Sequence, residues 1–568
     1  MTRLGVVAVV LAIALGGLAD VPVAFAGGVE FPSAGTRAVG RGGAAAARAD
    51  DPMTLAFNPA GLARTPGIQL SLQTHLMFYS ACFQRSGTYD AYAAPMPDRA
   101  TILAEGGLYR YDLQAAGNTS RTPSVAPQDG SRFDSRSLDG VALPEVCNSG
   151  PPGVVPNLIL TARIAPKWGI SFGIVAPAAV SHTRWGSGSD GLVNGLPSPA
   201  RYNLLESQLL VAYPTVGVAY RPHPAISIGA SFGWGVAPQI DFTTITRAVR
   251  GEEFQNDIYT ELSAQDWFIP RLNFSIHAVP HDNIDIVAGF MWQDDIRAEG
   301  DLTLTSGYYR SEPVDQLTIP TTQIDAPQPW QATLAFRYAD RIKPRILDPD
   351  TESRLTGRVE DSMQNERWDI ELDMVYEINR RVDEFTVSMP RCTGDSCMGS
   401  LWAIEVDDGF TAGVPRSLVL PHQWQDQLSL RLGGDWNFLP GVGTARLGVS
   451  YETKGVKDGF EQLDFLPLQR FGIHAGITFR IAKRFDISVA YAHIFQSAVT
   501  VREDQASLHQ PNASQRIGEL ACQDDPDCDA TDRQNIQGGA GGEGTLVNAG
   551  RYNSNLDIFS LGLTYHFR

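Results

Sequence analysis

From Ile558 to Arg568 the chain alternates apolar and polar residues, with Phe559, Leu561, Leu563, Tyr565 and Phe567 on one face and Ser560, Gly562, Thr564 and His566 on the other. A two-residue period puts successive side chains on opposite faces of a strand. A face this apolar and aromatic, backed by small polar residues, suits lipid on one side and a wet lumen on the other. The pattern recurs over 68–78, 157–164, 169–180, 208–220, 225–236, 268–279, 284–296, 329–338, 367–381, 424–438, 443–452, 471–481, 485–497 and 554–567, which makes fourteen segments, an even number. Two of them are unusually clean and carry charge on the polar face: Asp369, Glu371, Asp373 and Glu377 alternate with Ile370, Leu372, Met374 and Tyr376, and Arg446 and Glu452 share a face on 443–452. Carboxylates at every second position cannot face hydrocarbon or a dry core, so that face is lumenal. The expected fold is all-β, a 14-stranded antiparallel transmembrane barrel.

Connection lengths support a barrel. Ala165-Pro166-Lys167, Pro222-His223-Pro224, Val279 to Asp282, Leu439-Pro440-Gly441 and Ala482-Lys483-Arg484 are tight turns rich in Pro and polar residues. They alternate with long connections near 79–156, 181–207, 237–267, 297–328, 382–423, 453–470 and 498–553. Short turns on one rim and long loops on the other is the outer-membrane arrangement, the turns periplasmic and the loops outside. The charged stretch 339–366 falls where a short turn belongs and has no physical account at this level.

The N-terminus agrees with export. Arg3, the apolar core Leu4 to Leu18 and Ala24-Phe25-Ala26 make a secretory signal peptide over 1–26, expected to be cleaved. No later stretch approaches the ~20 apolar residues of a transmembrane helix. The formal net charge of −18 argues against nucleic acid as a partner and suits divalent cations at a lipopolysaccharide surface. In an exported chain six cysteines in local couples, Cys82 with Cys147, Cys392 with Cys397 and Cys522 with Cys528, predict disulfides that staple loops. Asp524, Asp525 and Asp527 beside the last couple are calcium candidates, against the plainer reading of a solvated acidic loop, so no metal is assigned.

Between the signal and the first strand, Gly28 to Arg64 is dense in Gly and Ala, carries Arg37, Arg41, Arg48, Asp50 and Asp51, and lacks alternation. Such a segment suits either a plug in a polar lumen or a periplasmic tail. Its Ser33-Ala34-Gly35, Ala38 to Ala45, Ala49-Asp50-Asp51-Pro52 and Asn58-Pro59-Ala60-Gly61-Leu62 resemble the hatch of the FadL/TodX family of outer-membrane hydrophobic-compound channels. Val155-Pro156-Asn157, Phe172-Gly173 with Ala176-Pro177, and Trp424-Gln425-Asp426 resemble further family segments. The resemblance implies a hatch over 27–64, a barrel over 65–568, and Asn58, Pro59 and Ala60 as gating residues. It also implies a kinked third strand through which substrate leaves sideways. Gly173 and Pro177 are the kink candidates, since proline lacks a ladder donor and glycine weakens a strand. The first connection, 79–156, offers little apolar capture surface, and the chain ends in Arg568, not in an aromatic.

No nucleophile, phosphate loop or acid–base pair stands out, so no enzyme and no cofactor are expected. His75, His277, His474 and His493 lie on separate strands and are assigned structural roles. Alternation aims Arg163, Arg271, Arg337, Arg431, Arg446 and Arg480 inward, mostly to pair with carboxylates. Arg163, Arg431 and Arg446, with Val175 and Val211, are the ligand-binding candidates, a cation being useful to a fatty acid and superfluous to an aromatic hydrocarbon. The expected protein is an integral bacterial outer-membrane monomer, inserted by the barrel-assembly machinery and in contact with membrane lipid and lipopolysaccharide. It passively transports long-chain fatty acids or other hydrophobic compounds. A non-transporting adhesion barrel with disulfide-stapled loops and a general porin are the alternatives.

Overall fold

Every barrel strand has a hydrogen-bonded neighbour on each side, so the sheet closes on itself and leaves no edge for the bilayer to solvate. The strands are β1 (Ile68–Arg85), β2 (Gly153–Ala165), β3 (Trp168–Val175), β4 (Glu206–His223), β5 (Ile226–Thr246), β6 (Ile258–His281), β7 (Ile284–Gln293), β8 (Trp330–Arg341), β9 (Glu366–Ile378), β10 (Gln427–Leu439), β11 (Gly443–Glu452), β12 (Arg470–Ile481), β13 (Phe485–Gln496) and β14 (Gly550–Phe567). Each pairs antiparallel with the next, and β14 returns to β1 from Ile68↔Phe567 to Arg85↔Gly550. This computed structural model describes residues 35–86, 145–177, 182–186, 192–193, 196–246, 257–308, 312–343, 361–394, 396–398, 401–407, 410–414, 416–510 and 545–567. The signal segment, Cys522, Cys528, Asp524, Asp525 and Asp527 lie outside them.

The fourteen strands coincide with the fourteen alternating segments, but several run further than the pattern suggested. β1, β5 and β6 rise well beyond the segments on the long-loop side, and β3 stops at Val175, short of the expected 180. Outward positions carry the lipid face, among them Leu72, Phe172, Val216, Phe274, Leu447 and Phe559. Inward positions are polar and buried, including Asp369, Glu371 and Asp373 on β9.

The described residues of 297–328 and 382–423 form strands. Ile296–Ser306 pairs with the outer half of β6, Asp315–Ala326 with Ile296–Ser306, Glu384–Ser388 with Asp315–Ala326, and Ser417–Pro421 with Glu384–Ser388. Together they extend the β6 edge into an outer sheet whose apolar face holds Leu302, Leu304, Leu317, Ile319, Ile324, Phe385 and Val387. Disulfides Cys82–Cys147 and Cys392–Cys397 staple this outer rim, as two of the three cysteine couples predict.

Inside the ring, residues 35–65 pack against the wall through two devices. One is charge: the buried Arg41 guanidinium bonds Asp369 (2.8 Å), Glu371 (2.8 Å) and Asp435, and Arg48 bonds Asp369 (2.9 Å) and pairs with Asp435 (3.0 Å). Backbone N–H groups of Ala45 and Ala46 donate to Asp373 and that of Ala47 to Glu371. The other is close approach: a Cβ on Gly433 would lie 2.0 Å from the Arg41 carbonyl oxygen and one on Gly448 2.1 Å from the Arg41 carbonyl carbon. Only glycine admits main chain that near.

Candidate functional site

The β2–β3–β4 wall is regular near the short turns and then breaks. β2 and β3 pair up to Leu158↔Ile174, and β3 and β4 up to Val175↔Tyr213. Among the described residues the next pairing with β4 is His182↔Gln208, so six residues of chain, 176–181, separate the two ladders on one side against four, 209–212, on the other. Two surplus residues cannot follow the β4 line at one spacing, and Pro177 has no N–H to offer it. The Ala176 N–H instead donates to the Asn157 side chain at 3.0 Å. Beyond the break the rim is tied again, with Arg184 N–H donating to Asn148 Oδ1 (2.9 Å) and Ser149 N–H to the Arg184 carbonyl (2.9 Å).

A cavity of about 170 Å³ sits at this break. Its lining joins two environments that an intact wall keeps apart. Val154, Ile174 and Leu210 belong to the lipid face, at 59%, 43% and 50% exposure, whereas Val211, Arg271, Gln293 and Glu377 line the lumen and Phe465 roofs it. The Arg271 side chain donates to Gln293 Oε1 at 2.7 Å and lies over the Tyr213 ring, 3.9 Å from its centroid. A second cavity, about 240 Å³, lies under the outer sheet and is walled by Ile258, Leu262, Leu302, Leu304, Val387 and Leu418. Phe242, Ile324 and Phe385 line both.

The residues singled out in the sequence fall in different places. Asn58 is buried: its side-chain amide donates to the Ala46 carbonyl (2.7 Å) and its Oδ1 accepts from Ser275 (2.9 Å). The Ala60 N–H donates to the same Ser275 hydroxyl at 2.8 Å, and Pro59 opens the short 3-10 turn that carries Ala60. This motif therefore contacts β6, while Leu62 and Leu55 share a buried cluster with Val175, Ile159 and Ala219. Gly173 lies within regular β3, where a Cβ would stand 2.6 Å from the Leu158 carbonyl oxygen; Pro177 lies just past the strand, at the cavity. Val211 lines the cavity. Arg163 donates to the Arg64 carbonyl (3.1 Å), Arg431 to Ser429 (3.0 Å), and Arg446 pairs with Asp435 (3.0 Å), so these three hold the inner segment and wall, and Arg271 is the arginine at the cavity. The outer apolar residues escape the sequence pattern because 297–328 and 382–423 read as connections, although Leu302 and Leu304 alternate there with Asp301, Thr303 and Thr305.

Electrostatics hold the inner segment in place. Burial alone would push the Asp50 carboxyl up, but Arg48 and Arg37 beside it hold it well below the usual carboxylate range. Burial likewise disfavours the Arg41 cation, and Asp369, Asp435 and Glu371 outweigh it, keeping the guanidinium charged.

These features define a class: a closed fourteen-stranded barrel with an internal N-terminal segment, a third strand that leaves register with its neighbour, and two largely apolar cavities beside it. No family model matches the chain, and no curated protein does. Among solved structures, a Pseudomonas aeruginosa FadL homologue aligns over 95% of this chain and 100% of its own at TM-score 0.62 and 13% identity. The P. putida toluene transporter TodX aligns over 95% and 99% at TM-score 0.55 and 13% identity, and the monoaromatic hydrocarbon channel CymD over 94% and 98% at TM-score 0.51 and 12% identity. The chain has the fold of these FadL/TodX channels over nearly its whole length.

Proposed function

We propose that the protein passively carries hydrophobic compounds, long-chain fatty acids or aromatic hydrocarbons, across a bacterial outer membrane. Molecules enter the apolar outer cavity, pass to the inner one, and leave sideways at the β3 break into the bilayer. The N-terminal segment acts as a hatch that denies polar solutes the lumen. One observation supports the reading above all: the inner cavity is lined at once by lipid-facing Val154 and Leu210 and by lumenal Val211 and Arg271. A sideways route into lipid keeps an apolar molecule out of water, whereas an aqueous exit would expose it at a free-energy cost, so the sideways route is the favourable one. The fold shared with a FadL homologue and with toluene and monoaromatic hydrocarbon channels supports the same substrate class.

The test is to remove two residues from 176–181, bringing β3 into register with β4 throughout. Uptake of radiolabelled tetradecanoic acid by cells lacking other such transporters should fall to the level without the protein, while boiled and unboiled samples still migrate differently. Undiminished uptake at normal surface level would exclude lateral release.

A further inference from the structure

The outer and inner cavities touch through three side chains, Phe242, Ile324 and Phe385, and each stands on a strand paired on both sides. Phe242 pairs with Ser207 and Leu262, Ile324 with Ala298 and Val387, and Phe385 with Leu420 while Thr386 pairs with Asp325. Main chain held this way does not open like a lid. The Phe385 ring is also buttressed. It lies 3.8 Å from the His422 ring, tilted by 32°, and makes an edge contact with Phe465 at 6.1 Å. His422 is itself buried and held at both nitrogens, with Nδ1 2.9 Å from the Leu420 carbonyl oxygen and Nε2 2.8 Å from Asp464 Oδ2.

We propose that Phe385, with Phe242 and Ile324, forms a fixed constriction that sorts hydrophobic molecules by width as they pass from the outer to the inner cavity. The proposal rests on the transport reading above. A flexible methylene chain is narrow enough to slide past a ring edge, whereas a rigid fused-ring hydrocarbon needs the rings to part. Parting them means breaking the His422 stack inside a paired sheet. Because the aperture is set by side-chain volume, trimming Phe385 to its Cβ joins the two cavities.

Uptake of radiolabelled tetradecanoic acid (narrow) and pyrene (wide) by cells carrying the full-length protein tests this, with surface level and heat-modifiable migration as controls. A single methylene in a hydrophobic pocket already discriminates by roughly 10- to 200-fold, so the pyrene-to-tetradecanoate ratio should rise about tenfold or more in F385A and fall in F385W. F385L, which keeps an apolar side chain in the sheet, should give an intermediate ratio and covers the case in which F385A fails to reach the membrane. Uptake of the fatty acid with an unchanged ratio in F385A and F385L would overturn the constriction alone. Loss of both uptakes in a correctly inserted F385L would overturn it as well, by making Phe385 a support for binding. No uptake of either probe by the parent protein would overturn both the constriction and the transport reading.

Discussion

Replacing Arg41 by Met probes how firmly the proposed hatch, residues 35–65, is seated. In the parent, one fully buried guanidinium answers three buried carboxylates, Asp369, Glu371 and Asp435. Methionine keeps most of the volume and leaves those carboxylates to Arg48, Arg337 and Arg446, none of which reaches Glu371 in the hydrogen bonds observed among the described residues. Removing one partner of a buried ion pair costs about 3–5 kcal/mol, chiefly because a charge remains without compensation. At ~1.4 kcal/mol per factor of ten, the displaced-hatch population should rise by about two to four powers of ten. Barrel strands make no new contact and lose none of their ladders, so heat-modifiable migration should persist. The readout is single-channel conductance in planar bilayers together with entry of a bulky polar antibiotic into cells, both expected to increase. Adding E371Q should recover part of the closed behaviour, because the amide keeps an oxygen for the Ala47 N–H and does not need a cation beside it. Conductance in R41M equal to the parent, in a properly inserted barrel, would refute the view that this cluster seats the hatch.

G448V should have a similar consequence by sterics, since its Cβ would fall 2.1 Å from the Arg41 carbonyl carbon; raised conductance with an intact barrel is the expected result. Asp50 supplies a pH test. Its carboxyl sits below the ordinary range when docked, so its stabilising contribution is complete above the unfolded value near 4 and is lost as pH falls through the lower folded value. Conductance should stay low from neutral pH down to about 4 and rise only below it, and D50N should be leakier at neutral pH with a flatter profile. For the Cys82–Cys147 bridge, which spans 65 residues, chain-entropy reasoning assigns about 4 kcal/mol to the closed loop. C82S should therefore increase protease cleavage within 86–145 while leaving the barrel heat-modifiable.

Much of the architecture was legible along the chain because a lipid-facing strand must alternate. Phe559 to Phe567 and Asp369 to Glu377 announced the lipid and lumen faces directly, and all fourteen strands followed with them. Asn58-Pro59-Ala60 stood out in the sequence as a motif, and the structure places Asn58 and Ala60 against Ser275 of β6. The path for a ligand was decided by tertiary structure. Arg163, Arg431, Arg446 and Arg271 share the same inward parity, and only the height of each on its strand, together with the course of 35–65 through the ring, separates Arg271 at the cavity from three that brace the segment and wall. Register made the β3 break: Pro177 signals irregularity, but six residues facing four becomes apparent only when β4 is placed alongside. Likewise Phe385 and Phe242 lie far apart in sequence and line the same two cavities because the outer sheet grows from β6. A period of two fixes which way a side chain points, and it carries no information about which distant strand it will face.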